Sequence, residues 1–270
     1  MASWTFSNIV KDDSLTVIVG ISLASAIAFS TYYLSFVAKV PNIHCGNKKL
    51  KSLLLSRVPC LSRRYWVTPW CIEPRLHTIL SMPVFHTKEP ISYEREILVL
   101  HDGGEVALDW KHKCLTHSKG DPILILLPGL TGDSQTFYVR KLVQAVSEAG
   151  WCCVVFQNRG LAGVRLKTPR TYCAANFEDF KEVLDHVVKK HPESPLAALG
   201  VSLGGLILGN YLCVAGENTP LTTAVIISAP WDVFISSESL QKPWMNRALN
   251  QHLAKALCNM YLRSCSSYDP

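Results

Sequence analysis

Gly200-Val201-Ser202-Leu203-Gly204 sets a serine between two glycines where an apolar run, Leu196 to Val201, passes into a helix-like segment. A free serine hydroxyl is a weak nucleophile, and enzymes that use one mount it on a strained strand-turn-helix corner of the form Gly-x-Ser-x-Gly. Small residues on either side let the backbone turn tightly, and the helix start behind the serine favours developing negative charge. The corresponding chemistry is attack on an ester carbonyl and formation of an acyl-enzyme. It needs two backbone N–H donors at the oxyanion, one just after the nucleophile and one from an earlier loop. Leu203 occupies the first position. Leu130, in Pro128-Gly129-Leu130 after the apolar run Ile123 to Leu127, suits the second. A serine that only caps its helix and an ordinary strand-to-helix turn are the plainer alternatives. The occurrence of both features in the required order favours catalysis.

Such a corner requires a sheet to carry it. Four short apolar runs, at 123–127, 152–156, 196–201 and 223–228, lack polar alternation and read as strands buried on both faces of a parallel sheet. Between them, "NFEDFKEVLDHVVKKH" repeats Phe177, Phe180, Val183, Leu184, Val187 and Val188 at helical spacing. Asn176 is placed to cap its start, and Lys189 and Lys190 suit its end. A second helix is expected over "VRKLVQAVSEAG" and a third from Leu203 to about Val214. Upstream, "EREILVLHDGGEVALDWKH" wraps two strand-like runs around Asp102-Gly103-Gly104, a hairpin signal. A hairpin followed by strand-helix repeats predicts an α/β fold with a mostly parallel sheet flanked by helices, six strands in all.

The formal net charge is +6, yet the cations are concentrated rather than spread as a nucleic-acid surface would need. They follow "SLTVIVGISLASAIAFSTYYLSFVA", Ser14 to Ala38, a run without a charge that is long enough to cross a bilayer as a helix. A signal peptide would have a shorter apolar region preceded by positive charge, whereas Lys11 is followed here by Asp12 and Asp13. An uncleaved anchor over 14–38 is therefore expected, after a tail at 1–13 and before a basic juxtamembrane linker and extension at 39–90. Lys39, Lys48, Lys49, Lys51, Arg57, Arg63 and Arg64 precede the first acidic residue of that linker, Glu73. This bias points the following domain, 91–270, to the cytosol, and the same cluster suits anionic headgroups as well as plain solvation. Trp66 and Trp70, in "YWVTPWCIEPRLHTIL", are expected to pack rather than to line an entrance. The ten cysteines include no Cys-x-x-Cys pair, so reduced, buried thiols are expected rather than a disulfide framework or metal site.

"LLPGLTG", "VVFQNRGLAG", "TPRTYCAANFEDF", "GVSLGG", "YWVTPWCIEPR" and "DGGEVALDW" together resemble the membrane-anchored α/β-hydrolase proteins of the AB hydrolase 4 family, from the anchor to about Asn250. The resemblance implies an α/β-hydrolase fold and a single-pass protein of an endomembrane such as the endoplasmic reticulum. It also implies a phospholipase or carboxylesterase acting on membrane phospholipid, with no cofactor. It assigns Ser202 as nucleophile and Leu130 and Leu203 to the oxyanion hole. Relatives of this kind face their C-terminal part to the lumen, opposite to the charge bias. Arg159, in "NRG", is expected to tie loops together beneath the site rather than to touch a phosphate.

The family's order is serine, acid, then histidine after later strands. Six strands are two fewer than that fold ordinarily carries, so the acid and base are expected beyond Pro270 and "RSCSSYDP" is expected to be an alternative C-terminus. Asp232 and His252 are poor substitutes, neither standing at a suitable strand end, and His186 is expected to be a solvated surface residue. An unpaired sixth strand would expose an apolar flank, so poor folding of the chain alone is expected. The second reading is therefore an inactive form that binds lipid or a partner.

Overall fold

The computed structural model describes residues 6–77, 80, 90–111 and 120–266. Residues 1–5 of the expected N-terminal tail, the stretch 81–89 of the expected linker and the last four residues of "RSCSSYDP" lie outside the described residues. The chain forms two compact units, Met1–His86 and Thr87–Pro270.

In the first unit, α1 (Phe6–Tyr32) runs into a π-turn, Tyr33–Val37. Ser14–Val37, 24 residues, is long and apolar enough to cross a membrane, and none of its apolar window is buried in protein. At 1.5 Å per residue it reaches about 36 Å, enough for a hydrocarbon layer of about 30 Å. α2 (Lys48–Arg57) follows, its first turn capped by Asn47 Oδ1, which accepts from the Lys49 and Leu50 N–H groups at 3.0 and 3.1 Å. The expected packing of the tryptophans is corrected: Trp66 and Trp70 are 64% and 74% exposed. Trp66 keeps one aromatic neighbour, stacking on Tyr33.

The second unit holds a six-stranded sheet in the order β1-β2-β4-β3-β5-β6. β1 (Tyr93–Val99) and β2 (Glu105–Lys111) form the antiparallel hairpin, closed at Gly103, where φ is +80°. β2 then pairs antiparallel with β4 (Cys152–Gln157). β3 (Ile123–Leu127), β4, β5 (Leu196–Val201) and β6 (Leu221–Ile227) are mutually parallel. All residues of β3 and β4 are buried, which is why their sequences show no alternation. β6 lies at the sheet edge, and Val225 and Ile227 on it are exposed.

Helices cover both faces. α3 (Phe137–Glu148) buries Val139 and Val143 with Leu124, Leu126, Cys153 and Val155 of the sheet. On the opposite face, α4 (Glu178–Lys190) buries Phe180, Val183, Leu184 and Val187 with Ile125, Val154 and Phe156. Each of those four side chains contributes about 1.5–3 kcal/mol of gross hydrophobic stabilisation. Asn176 Oδ1 accepts from the Glu178 N–H, so the expected cap acts at the first turn of α4. α5 (Leu203–Ala215) joins the same face through Ile207, Leu208 and Tyr211. Two further helices, α6 (Val233–Gln241) and α7 (Trp244–Ser266), follow β6.

Two expectations are overturned. His186 is not a freely solvated residue: it is half-buried, and its Nε2 lies 2.9 Å from Glu96 Oε1, because Glu96 on β1 reaches across to α4. The cysteines are not uniformly reduced and buried. Cys152 is disulfide-bonded, Cys71 and Cys153 are buried reduced thiols, and Cys60, Cys173, Cys213 and Cys258 are reduced and exposed.

Candidate active site

Ser202 sits between β5 and α5 with φ +52° and ψ −113°, a backbone conformation that L residues seldom adopt. Strain of this kind costs about 1–3 kcal/mol and persists only where surrounding structure enforces it. Here the enforcement is visible. The Ser202 N–H donates to Ile227 O of β6 at 2.8 Å, and Ser202 O accepts from the Leu206 N–H at 3.1 Å in the first turn of α5. The glycines leave no room for alternatives. A Cβ on Gly200 would lie 2.5 Å from Gly204 O, and one on Gly204 would lie 2.3 Å from Leu127 O. The corner is therefore wedged against the end of β3. The Ser202 side chain makes no capping bond to α5, so the helix-cap alternative finds no support in the geometry.

The end of β3 brings the second expected element to the same place. A Cβ built on Gly129 would stand 3.4 Å from Ser202 Cβ, so the Pro128-Gly129-Leu130 turn lies directly against the corner. The turn is closed by the Gly132 N–H donating to Gly129 O at 2.9 Å, and Thr131 takes the left-handed conformation with φ +60°. Leu203 follows Ser202 directly and Leu130 follows the Gly129 that packs against it, and neither backbone N–H donates to a protein acceptor among the described residues. Leu203 is the first residue of α5, where unpaired N–H groups and the helix dipole both favour an anion. The arrangement can receive a negatively charged oxygen beside a serine.

Two tyrosines that sequence reasoning missed support this turn. Tyr138 Oη accepts from the Gly129 N–H at 2.7 Å, and burial raises its pKa against that bond. Tyr172 Oη accepts from the Thr131 N–H, its pKa likewise raised by burial, and its hydroxyl also lies 3.9 Å from Met260 Sδ of α7. The only sequence signal for Tyr138 was its place just before the helix expected after the loop. Tyr172 had none.

A buried polar network fixes Ser134, after the turn. Asp109, 1% exposed, accepts from Ser134 Oγ at 2.6 Å, from Gln157 Nε2 at 2.9 Å and from Arg95 through Nε at 2.6 Å and Nη2 at 2.8 Å. Tyr93 Oη donates to Ser134 O at 3.0 Å. Arg159 ties separate segments together by hydrogen bonds, as expected. Its guanidinium, 1% exposed, forks onto Asp179 at 2.6 and 2.8 Å and onto Asp102 at 2.7 and 3.0 Å, and also donates to Thr168 Oγ1 at 3.0 Å. Burial opposes the Arg159 charge, but its hydrogen bonds to Asp179 and Asp102 outweigh it and raise its pKa. The same fork lowers the pKa of Asp102 to about 2, against the opposing effect of burial.

The remaining polar candidates do not join Ser202. Asp232 caps α6, its Oδ1 accepting from the Ile235 N–H at 2.9 Å. His252 lies within α7. His186 is committed to Glu96, and His101 pairs with Glu182. Among the described residues no histidine or carboxylate hydrogen bonds to Ser202 Oγ.

A sequence profile of the alpha/beta hydrolase fold matches residues 122–263. Human phospholipase ABHD3 is 40% identical over 255 residues, an alignment covering 92% of this chain and 59% of that protein. A putative esterase of Escherichia coli, YheT, is 31% identical over 171 residues, covering 63% of this chain and 50% of that one. Among solved structures, the esterase Pf2001 of Pyrococcus furiosus superposes with a TM-score of 0.46 at 19% identity, covering 57% of this chain and 58% of that one. The chain thus spans 59% of the length of the human relative.

Proposed function

Because the chain belongs to the alpha/beta hydrolase fold family, we propose that it is a membrane-anchored serine hydrolase cleaving acyl esters of phospholipids through an acyl-enzyme at Ser202. The observation that supports this reading is the strained serine at +52°, packed against the Pro128-Gly129-Leu130 turn; the Leu130 and Leu203 N–H groups are the proposed oxyanion donors. In the proposed sequence, Ser202 Oγ loses its proton to a base and bonds to the ester carbonyl carbon. The carbonyl oxygen takes the charge between the two N–H donors, the lipid alcohol leaves with a proton, and water then releases the fatty acid and restores the serine. Each oxyanion donor is worth about 10²–10³ in rate. Similarity to a protein named phospholipase supports a lipid substrate, and the apolar helix at Ser14–Val37 supports anchoring in the bilayer where such a substrate resides. A single-pass placement in an endomembrane belongs to the same proposal.

A second reading, a chain that binds lipid or a partner without turnover, is favoured by one observation: no base is hydrogen-bonded to Ser202 Oγ among the described residues. Without a base, the elbow and its donors sustain only residual catalysis. One experiment separates the two. Under the first reading, the full chain in phosphatidylcholine vesicles is labelled by a fluorophosphonate probe and releases fatty acid, and Ser202→Ala abolishes both. Absence of labelling in a folded, membrane-inserted chain would establish the second.

A further inference from the structure

The segment after the apolar helix is built for more than solvation. Lys39 to Arg64 contains seven cations and no anion. Five contacts fix its far end to the last turn of the apolar stretch and the residues just after it. Arg64 Nη1 donates to the Leu34 and Ala38 carbonyls, the latter at 2.6 Å, satisfying groups that a helix end leaves open. The Tyr65 N–H donates to Lys39 O at 2.8 Å, the Tyr33 hydroxyl donates to Val67 O, and the Tyr33 and Trp66 rings stack at 6.3 Å. Residues 63–67 are thereby held at the level where an anchor leaves the hydrocarbon.

A recess of about 420 Å³ opens there, walled by Pro41, Leu61, Tyr65 and Trp66, with Arg63 beside the committed Arg64. Arg63 makes no hydrogen bond to the protein among the described residues, so its fork is free for an incoming acceptor. In the same unit, α2 buries no residue. Lys48, Lys49 and Lys51 project from it, and Leu50 and Leu53 are 46% and 53% exposed. A short helix with exposed leucines and lysines, next to interfacial aromatic rings, has the character of a membrane-surface element.

We propose that Arg63 in this recess, together with the lysines of α2, forms a binding surface for the headgroup of an anionic phospholipid. The inference rests on the reading of Ser14–Val37 as an inserted anchor. The occupant follows from charge and place: a guanidinium fork matches phosphate oxygens, and a surplus of cations with no anion prefers a lipid of net negative charge to a zwitterionic one. None of its residues belongs to the serine site, and it would hold the chain in anionic regions of the bilayer.

The test uses the full chain reconstituted in phosphatidylcholine vesicles. Resistance to alkaline carbonate extraction first checks the anchor reading; a chain that is stripped away overturns it, and with it this proposal. For the inserted chain, electron spin resonance of trace spin-labelled phosphatidylserine and phosphatidylcholine gives the fraction of each lipid restricted by protein. The expected preference for the serine lipid is about fivefold or more, as one surface cation near anionic lipid already supplies. It should fall in 0.5 M NaCl (roughly a 4 Å screening length). It should also fall toward unity in the variant K48Q/K49Q/K51Q/R63Q, whose substitutions touch only exposed side chains. Inorganic phosphate at constant ionic strength should leave it unchanged. Equal restriction of both lipids overturns the proposal, as does a preference that the fourfold variant retains. Loss of the preference to inorganic phosphate overturns it in favour of a free-phosphate site.

Discussion

Gly204→Ala tests the geometry of the serine corner most directly. The added Cβ would stand 2.3 Å from Leu127 O, 2.5 Å from Pro128 O and 2.7 Å from Leu127 C. Ordinary Cβ contact begins near 3.4 Å, so either the corner or the end of β3 must retreat by about 1 Å, a larger shift than a packed interior absorbs easily. Both obstacles are backbone, and Leu127 is held in the sheet opposite Gly200, so no flexible side chain can yield. Overpacking of this kind costs about 1–3 kcal/mol, and the immobility of the obstacle puts the expected loss at the upper end. The displaced atoms lead directly into Leu130. A shift of about 1 Å in a reacting group costs on the order of 10²-fold in rate. The variant should therefore lower the urea midpoint of the full chain and slow fluorophosphonate labelling of Ser202 by about 10²-fold or more, comparable with loss of an oxyanion donor. Gly46→Ala is the control, because nothing lies within 4 Å of its added Cβ and its φ is not positive. It should change neither readout. If Gly204→Ala unfolds earlier yet labels at the parent rate, the end of β3 does not position the oxyanion donor. If neither readout moves, the close packing of the corner is refuted as well.

Tyr138→Phe removes the acceptor of the Gly129 N–H while keeping the ring; a loss of about 1–3 kcal/mol in urea unfolding is expected, with slower Ser202 labelling. Unchanged labelling would show that the loop holds its shape without that bond. Arg159→Met should cost about 3–5 kcal/mol, since Asp102 and Asp179 lose their buried counterion, and the only ion pairs left to them among the described residues are the longer contacts from Arg170 at 3.5 and 3.4 Å. The same fork sets a pH dependence. Because the folded pKa of Asp102 is depressed from 3.8 to about 2, its contribution is complete above pH 4 and is lost as pH falls toward 2. Acid titration of stability should therefore steepen in that window and flatten in Arg159→Met. Cys153, whose thiol burial pushes up to about 12, should resist iodoacetamide at pH 8 in the folded chain, while the exposed Cys60, Cys173, Cys213 and Cys258 are alkylated. Mass spectrometry of modified Cys153 under native conditions would contradict that.

The parts legible in the sequence were those with strong local grammar. Runs such as "ILILL" and "CCVVF" could be read as strands because burial on both faces removes every polar residue, and the faces of α3 and α4 could be read from their spacing. The serine corner was legible because only glycine survives where a Cβ would meet backbone at 2.3–2.5 Å, and that restriction is written into the sequence itself. What escaped was long-range pairing. Glu96 and His186 meet across 90 positions, and Asp109 and Gln157 across 48. No local period encodes a polar partner on another element. Tyr138 and Tyr172 escaped for a related reason: each acts through a single hydroxyl on the oxyanion turn, while its ring reads as ordinary packing. Trp66 shows the opposite failure. Its size argued for burial, yet the structure leaves it exposed beside Arg63 at the end of an apolar helix, where a ring with a polar edge is suited to the boundary between lipid and water. Burial statistics presume water as the only solvent. For a segment adjoining a membrane span, exposure of a tryptophan is therefore itself an indication of the second solvent.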